Sequence, residues 1–550
     1  MARLIYFILS LVCMSIPDVL AQSDAVVLDT VHMYIRTLPN VENLEFTKTG
    51  GIVLYTGNDP VLATLLKDET ILEFKKGFPT SQNDKLKRTY SVKVVTPKIN
   101  PLSEEQLPNL KKTLIREASH IFEFGEVVAD TTVKVYYPND YGTTIKGKKN
   151  LGYDVSMAHY DYLGMPQAWA YTTGFPEIII GIADEKLPKD HPDFKDKTII
   201  LRESVVGGGH GYSVGANAVA QGDNAYGIAG VCYDCDVFGS RYGSFSTFDQ
   251  LLELSQAGAK ILNCSFVTTK YYETAQEVIN EMYDNGTIIV ASAGNRPWSE
   301  NYGKKLYYPA SYENVISVSS VTYKYETPYD NFGLSSDGNY YAQNIKNYLG
   351  RSLGFTDNNP EKEPYIYLVS TPTLNPMVDI VAPGVLVFSF GNYLLKPEYI
   401  YNKYQSTSMA APLVAGTLGL MFSLYPELPL PEAESILKIT STNINEIEGN
   451  KPFAGHYGAG ALHTGRAVKM VNDLISPTET LTVENQDFNR WDFILTALSE
   501  SVVIQNQTFR EEASLRLTSK NKIVLKPGTR LQSTNKRGIV LAIDPTLSKK

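Results

Sequence analysis

Between residues 151 and 475 the chain alternates short apolar runs with amphipathic stretches, and this alternation constrains the fold more than any other feature. The clearest runs are 178–182, 260–263 and 287–290, with helical patterns at 248–258 and 273–285. Apolar runs without polar alternation are typical of strands covered on both faces. Strand, helix and strand at these spacings predict βαβ units, and therefore a doubly wound, mainly parallel α/β sheet.

The flanking segments differ from this pattern and divide the chain further. Residues 22–135 mix helical and strand patterns, which predicts a separate α+β domain. Residues 136–475 are assigned to the α/β domain, and a polar insertion at 322–375 is either a substrate rim or a passive loop. Residues 476–550 contain short alternating strands separated by turn residues, which predicts a small all-β segment.

The first 21 residues have the pattern of a secretory signal peptide. Arg3 precedes an apolar run over residues 4–16, and Ala21 is the small residue before the predicted cleavage site. The apolar run is too short to cross a bilayer as a helix, although a short membrane anchor is the alternative interpretation. No later apolar run is long enough to span a membrane, so we expect a secreted protein without a transmembrane segment.

Charge and cysteine content exclude some functions and leave others open. The 50 Lys and Arg against 59 Asp and Glu give a net charge of −9, which disfavours a nucleic-acid partner. Cys232 and Cys235 form a single CxxC without the second pair that a zinc site needs, so we expect a local disulfide or two buried thiols. Cys264 lies in an apolar run and is predicted to be part of the core.

A polar junction at 133–150 separates the first two predicted domains. It contains a basic cluster of Lys146, Lys148 and Lys149, and turn residues precede this cluster. The cluster is either a solvated run or a processing site, and we predict cleavage of the chain between about residues 130 and 150.

Residues suited to acyl-transfer chemistry follow the apolar runs. Asp184 and Asn295 come just after predicted strands, and ligands bind at the carboxyl ends of parallel strands. His210 lies in a glycine-rich segment, and Ser408 begins a predicted helix whose free N–H groups favour an anion. Acyl transfer needs a nucleophile, a base, a group that orients the base and oxyanion donors. These four residues would supply them, although each type alone is more common in a turn, loop or cap.

The order of these residues along the chain narrows the kind of hydrolase. An α/β-hydrolase has its nucleophile first, in a G-x-S-x-G motif, whereas Ser406 and Ala410 occupy the glycine positions here. With the order Asp, His, Ser, residues 150–475 resemble the subtilisin-like serine proteases. Further matches to that family are PQAW at 166–169, GIAGV at 227–231 and DIVAPG at 379–384.

The resemblance implies a role for each candidate residue. Asp184 would orient the base, His210 would act as the general base, and Ser408 would be the nucleophile, with Asn295 as an oxyanion donor. The substrate strand and the wall of the pocket for the residue before the scissile bond would be formed by Ser265, Phe266, Val267, Ser292, Ala293 and Gly294. A peptide substrate would pair with residues 265–267 by strand addition.

The resemblance also implies how the protein is made and what it needs. Residues 22–135 would be a propeptide that acts as an intramolecular inhibitor. No cofactor is required for the chemistry, and structural calcium is common in the family, although the sequence does not identify its ligands. We expect a monomer that acts on proteins or peptides.

The chain departs from the family pattern at several motifs. Glu185 and Lys186 follow the acid where the family has Ser or Thr and then Gly, and Tyr212 and Ser213 follow the His-Gly pair. Ser406 replaces a glycine before the nucleophile, where we expect strain or a narrower cleft. Val267 also replaces a glycine, where it would crowd a bound peptide.

We therefore expect a secreted serine endopeptidase, made as a proenzyme, that forms an acyl-enzyme on Ser408. One alternative is a catalytically inactive peptide- or glycan-binding protein on the same fold. Residues 523–543 resemble β-rich C-terminal segments of other secreted proteins, which implies surface display or carbohydrate contact, and a β-cap on the catalytic domain is the alternative interpretation of this segment. The other alternative is an esterase that uses the same triad.

Overall fold

The computed structural model of the chain describes most of residues 28–141 and 157–549. The gaps within these ranges are 42, 50–51, 68, 79–80, 82, 98–109, 128–132, 206–208, 297–304, 331, 343, 350, 363, 368–371, 386 and 388–405. The predicted signal peptide and the basic cluster at 146–149 lie outside the described residues.

The N-terminal unit is an antiparallel sheet covered by helices. Its elements are β1 (Leu28–Thr37), β2 (Phe46–Thr49), β3 (Ile52–Tyr55), α1 (Pro60–Leu66), β4 (Thr70–Lys76), α2 (Asp84–Lys87), β5 (Thr89–Pro97), α3 (Leu110–Glu117), β6 (Phe122–Val127) and β7 (Val133–Val135). The strands have the order β4-β5-β1-β6, β7 pairs with β1, and β2 pairs with β3 as a hairpin. Asp59 caps α1 by accepting a hydrogen bond from Leu62 N at 2.8 Å. The unit has its own apolar core, which includes Met33, Val92 and Leu114.

The central unit is built on a parallel sheet, as predicted. Its first elements are α4 (Ala158–Leu163), α5 (Met165–Trp169), β8 (Ile179–Ala183), β9 (Thr198–Ile200), α6 (His210–Val219), β10 (Asp236–Ser240), α7 (Asp249–Gln256), β11 (Ile261–Cys264), α8 (Glu273–Asp284), β12 (Ile288–Ser292) and β13 (Val315–Val321). Every residue of β11, β12 and β13 is buried, because helices cover both faces of the sheet.

The predicted insertion is a small antiparallel sheet rather than an irregular loop. It consists of β14 (Phe332–Leu334), β15 (Tyr340–Ala342), β16 (Arg351–Phe355) and β17 (Pro364–Tyr367), in that order. Ala342, Ile345 and Phe355 form a core of its own. After it, β18 (Ile380–Pro383) joins the central sheet, whose seven parallel strands have the order β18-β13-β12-β11-β8-β10-β9.

Three helices complete the central unit: α9 (Thr407–Leu424), α10 (Leu430–Ile439) and α11 (Thr464–Ile475). Helix α9 packs against α6 and the central strands, and a Cβ atom on Gly416 would lie 2.6 Å from Val231 Cβ. Among the described helices, only α9 is long and apolar enough to cross a membrane, and 89% of it is buried inside the protein. It is therefore the core helix of this unit.

The C-terminal segment is all-β, as predicted, but its strands run parallel. They are β19 (Thr480–Glu484), β20 (Asp487–Phe488), β21 (Asp492–Ala497), β22 (Ser501–Gln505), β23 (Thr508–Glu511), β24 (Ser514–Ser519), β25 (Ile523–Leu525), β26 (Arg530–Ser533) and β27 (Ile539–Ile543). Three sheets, β19-β22-β25, β20-β23-β26 and β21-β24-β27, enclose an apolar interior, which makes three coils of a β-solenoid. The turn-separated pattern of single strands does not reveal this, because the pairing is between residues about one coil apart.

The first coil packs onto the central unit. Strand β21 lies against α10, and Glu432 accepts hydrogen bonds from Thr496 N at 3.0 Å and Thr496 Oγ1 at 2.6 Å. Solenoid residues such as Leu481 and Phe493 belong to the same apolar cluster as the residues of α9. The solenoid therefore caps the central unit and shares its core.

Candidate active site

Asp184 and His210 meet at the carboxyl edge of the central sheet. Asp184 directly follows β8, and its backbone N–H bonds to the Ser240 carbonyl at 2.9 Å, which continues the pairing with β10. His210 begins α6, and its Nδ1 lies 2.7 Å from Asp184 Oδ1. A Cβ atom on Gly211 would lie 2.5 Å from the Glu185 carbonyl oxygen. Only glycine therefore lets α6 approach closely enough to bring the imidazole to the carboxylate.

The surroundings of Asp184 stabilise the protonated form of the His210 imidazole. Asp184 is fully buried, and its Oδ1 also accepts hydrogen bonds from Glu185 N at 2.7 Å and Tyr242 Oη at 3.1 Å. Burial lowers the pKa of His210, but the hydrogen bond and the charge of Asp184 outweigh it and raise that pKa above its ordinary value. Nδ1 donates to the carboxylate, so Nε2 is the nitrogen left to act as a base.

Ser408 lies in the first turn of α9 and is buried against the segment after β11. Its Oγ donates to the Ser265 carbonyl at 3.3 Å, and Ser265 Oγ donates to the Ser408 carbonyl at 2.9 Å. Within the described residues Ser408 Oγ makes no hydrogen bond to His210. Such bonds are often loose before substrate binds.

Asn295 turns its amide N–H₂ toward the start of α9. Its Oδ1 accepts hydrogen bonds from Thr407 N at 2.8 Å and Thr407 Oγ1 at 3.1 Å, which fixes the amide orientation. Its Nδ2 then donates to Ser406 Oγ at 3.1 Å, and Ser408 N donates to the same oxygen at 3.0 Å. Two N–H donors thus converge on one point beside the nucleophile.

The predicted substrate strand follows β11 directly. The ring of Phe266 packs between Tyr242 and Phe245, at centroid distances of 5.0 and 5.3 Å. Val267 points outward and is 38% exposed. The backbone of Thr268 pairs with that of Tyr308 through two hydrogen bonds, so one edge of this strand is already covered at its far end.

The predicted pocket wall, Ser292 to Gly294, continues from β12. Ser292 and Ala293 are buried, and Gly294 has a φ of 102°, a conformation that favours glycine. Gly294 N donates to Thr407 Oγ1 at 3.1 Å. This wall is therefore tied to the first turn of α9, as Asn295 is.

Sequence reasoning missed Tyr242, which donates to the same carboxylate oxygen as His210. Burial and the charge of Asp184 raise the pKa of Tyr242, so the hydroxyl stays protonated and keeps donating. The residue lies two positions after β10, at the carboxyl edge where functional side chains gather. A search of all strand ends would have selected it as a candidate.

Two buried aspartates, Asp140 and Asp193, lie outside the triad. Asp193 Oδ1 accepts a hydrogen bond from Asn224 Nδ2 at 2.8 Å, whereas neither carboxylate oxygen of Asp140 makes a hydrogen bond of normal geometry. Burial and the negative charge of Asp193 raise the pKa of Asp140 to about 7, against a smaller lowering by the Asp223 backbone. Unpartnered buried carboxylate oxygens suit a hard cation such as Ca²⁺. The described residues contain no cluster of three or more His, Cys, Asp or Glu, so further ligands would have to be carbonyls, amides or water.

Cys232 and Cys235 form a disulfide, which selects one of the two predicted alternatives. Cys264 is a buried free thiol in β11, as predicted.

The comparisons with known proteins agree with this architecture. A sequence model of the Subtilase family matches residues 176–460, just over half of the chain. Subtilisin DY from Bacillus licheniformis is 26% identical over 304 residues, covering 53% of this chain and 91% of the relative. Thermitase from Thermoactinomyces vulgaris is 27% identical over 272 residues, covering 47% of this chain and 79% of the relative. The halolysin-like extracellular serine protease Nep from Natrialba magadii is 28% identical over 299 residues, covering 50% of this chain and 46% of the relative. The chain therefore belongs to the subtilase family of serine endopeptidases.

Proposed function

We propose that this subtilase is a secreted endopeptidase that cleaves proteins through Ser408, His210 and Asp184. The 2.7 Å contact between His210 Nδ1 and Asp184 Oδ1 carries the proposal, because it leaves Nε2 to act as the base. The placement of Ser408 in the first turn of α9 adds a nucleophile whose backbone N–H has no partner within the helix and would donate to the reacting carbonyl.

In the proposed reaction His210 Nε2 takes the proton of Ser408 as Oγ attacks the scissile carbonyl. Asn295 Nδ2 and Ser408 N donate to the oxyanion, and such a donor is typically worth about 3–4 kcal/mol. The tetrahedral intermediate collapses, the amine leaves with the proton from His210, and an acyl-enzyme remains. Water then attacks the acyl-enzyme by the same steps and releases the carboxylic acid product.

Substrate would lie as an added strand along residues 265–267. Phe266 is held inward by two aromatic rings, so the backbone of this segment is positioned by packing rather than by the substrate. The outward Val267 side chain narrows the space that a glycine would leave open. We therefore expect a preference for small or flexible residues where the peptide passes Val267.

The N-terminal unit would act as the propeptide, and the contacts of residues 136–141 support a cleavage site before this segment. Tyr136 N bonds to the Pro166 carbonyl at 2.7 Å, and Asn139 N bonds to Asp223 Oδ1 at 2.7 Å. The segment is thus anchored on the central unit. We propose that cleavage falls between β6 and Tyr136, so that the mature enzyme keeps this segment. N-terminal sequencing of the secreted form tests this, and a start before residue 128 or after residue 136 would contradict it.

Asp140 and Asp193 would bind structural calcium in the mature enzyme. The ion would supply the positive charge that the unpartnered oxygens of Asp140 lack. It takes no part in the chemistry at Ser408. Asp140 lies in the segment that the proposed cleavage leaves on the enzyme.

Secretion is supported by the N-terminal sequence pattern and by the Cys232–Cys235 disulfide, since disulfides persist in oxidising compartments. The relative from Natrialba magadii is itself named extracellular.

A fluorophosphonate probe and a mixed peptide library test the proposal on purified mature protein. The wild type should be labelled and should cleave peptides, and Ser408→Ala should lose both activities. Ser423→Ala is the matched control, because this serine lies on the same helix and its Oγ contacts only groups outside the proposed triad, the Gly419 carbonyl at 2.7 Å and Cys235 Sγ at 3.9 Å. An unlabelled, folded wild type would favour the binding-protein alternative, and ester turnover without peptide cleavage would favour the esterase.

A further inference from the structure

The oxyanion donors of the proposed enzyme already have an acceptor, and it belongs to the chain itself. Ser406 Oγ lies 3.1 Å from Asn295 Nδ2 and 3.0 Å from Ser408 N, and both groups donate to it. A substrate oxyanion is expected at about 2.7–3.1 Å from such donors. The hydroxyl oxygen of Ser406 therefore stands where the reacting oxygen would stand.

We infer that Ser406 is a built-in occupant of the oxyanion hole, which substrate must displace before the reaction can proceed. This inference rests on the proposed function, because it takes Asn295 and Ser408 N as the oxyanion donors. Ser406 would therefore lower the rate of the first chemical step.

A local structural benefit explains why a serine is stable at this position. Ser406 is the N-cap of α9, and its Oγ satisfies the N–H of Ser408, which has no partner within the helix. Its φ of −153° is extended backbone that any residue adopts, so the strain expected for a serine at this turn is absent. The same hydroxyl therefore stabilises the free enzyme and blocks its active site.

Displacement requires only a rotation about the Cα–Cβ bond of Ser406. A neutral substrate carbonyl competes with the hydroxyl on nearly equal terms, because both make ordinary hydrogen bonds. The developing oxyanion makes charge-assisted hydrogen bonds that are roughly twice as strong. It therefore displaces the Ser406 hydroxyl from the two N–H donors as negative charge develops on the substrate oxygen. The free energy needed to break the two hydrogen bonds to Ser406 Oγ is thus added to the barrier for acylation.

Removal of the hydroxyl should therefore raise activity. Water would enter the hole in its place, so the gain is limited to the advantage of an internal hydrogen bond over one to water. For two such bonds we expect kcat/KM to rise about tenfold in Ser406→Ala and Ser406→Gly. The increase should appear mainly in kcat, and the affinity for a peptide boronic acid, whose adduct on Ser408 places an oxygen in the hole, should rise by a similar factor.

Ser406→Asp should have the opposite effects. Its carboxylate can keep the cap and can occupy both donors with a full negative charge, which also suits a helix N-terminus. We expect it to lower kcat/KM and boronic acid affinity while preserving or raising the melting temperature, whereas Ser406→Gly should lower the melting temperature. A purely structural role would move activity and stability in the same direction. Ser423→Ala, on the same helix, is the control for serine removal.

A double-mutant cycle with Asn295→Ala tests whether Ser406 acts through the oxyanion donors. The gain from Ser406→Ala should shrink in the Asn295→Ala background, because one of the two blocked donors is then missing. Unchanged or lower activity in both Ser406→Ala and Ser406→Gly, with Ser408 still labelled by a fluorophosphonate, would overturn the inference alone. Absence of labelling in the wild type and in every Ser406 variant would instead overturn the proposed function, and the inference with it.

Discussion

At the scale of single residues, the site depends on one carboxylate oxygen. Asp184 Oδ1 accepts three hydrogen bonds, from His210, Glu185 N and Tyr242, while Oδ2 is buried without a partner. All three donors therefore hold the carboxylate in one orientation, and the carboxylate holds the imidazole. This arrangement predicts a strong dependence of both rate and pH profile on the charge of residue 184.

Asp184→Asn should lower kcat by about 10⁴-fold, because the amide no longer selects the tautomer that leaves Nε2 as the base. The wild-type enzyme should lose activity as the pH falls through the raised pKa of His210, so its acid limb should lie above pH 6.5. The variant should have its acid limb at lower pH, since burial without the charge of Asp184 lowers that pKa. The profile of kcat/KM against pH measures both shifts, and an unmoved limb would contradict the assignment.

At the scale of elements, the solenoid has one covered and one uncovered end. Its interior consists of columns of aligned residues, for example Phe493, Leu515 and Ile539 across β21, β24 and β27. The first coil is covered by α10 and α11, whereas the last coil leaves Leu525 51% exposed. Burial along a column therefore decreases from the central unit outward.

A matched pair of leucines tests this gradient. Leu517 in β24 is fully buried and Leu525 in β25 is half exposed, although both point into the solenoid. Leu517→Ala should reduce the free energy of unfolding by about 2–5 kcal/mol, and Leu525→Ala by less than about 1 kcal/mol. Urea denaturation followed by circular dichroism gives both values. Equal losses would mean that the last coil is covered in solution.

At the scale of the whole molecule, the central unit and the solenoid share one core, whereas the N-terminal unit has its own. The contacts described between the N-terminal and central units include β7 against α5, and residues 136–141 continue from β7 onto the central unit. Cleavage before Tyr136 would thus leave the core of the proposed mature enzyme intact. The stability of the mature enzyme should then depend on how the charged groups of residues 136–141 are compensated.

The effect of the Asp140 charge on stability can be measured. Its raised pKa means that the protonated carboxyl favours the folded state at low pH, and that this contribution is lost as the pH rises from about 4 to about 7. Without metal, Asp140→Asn should therefore gain stability relative to the wild type over this window, by about 1.4 kcal/mol for each pH unit.

At pH 8, Ca²⁺ should make the wild type more stable than Asp140→Asn. The wild type should be stabilised by about 2.7 kcal/mol at a hundredfold excess of Ca²⁺ over its dissociation constant, while Asp140→Asn should respond weakly. Thermal unfolding with Ca²⁺ and with EDTA measures both effects. An equal change in thermal stability of the two proteins on addition of Ca²⁺ would mean that Asp140 does not bind calcium.

The sequence by itself determined the local features of this protein. Continuous apolar runs require strands that are covered on both faces. The spacing of strands and helices therefore determined the parallel sheet, and with it the edge where Asp184 and Asn295 lie. These features follow from periodicity and from steric limits within a few residues.

Only the tertiary structure decided which distant residues share a site. The pairing of solenoid coils and the contact of Tyr242 with Asp184 depend on positions that local patterns leave open. Likewise, Ser406 was visible in the sequence as a departure from the family pattern. Its occupation of both oxyanion donors appears only when Asn295, more than a hundred residues earlier, is brought beside α9. The physical reason is that hydrogen bonds form between atoms about 3 Å apart in space, whatever their separation along the chain.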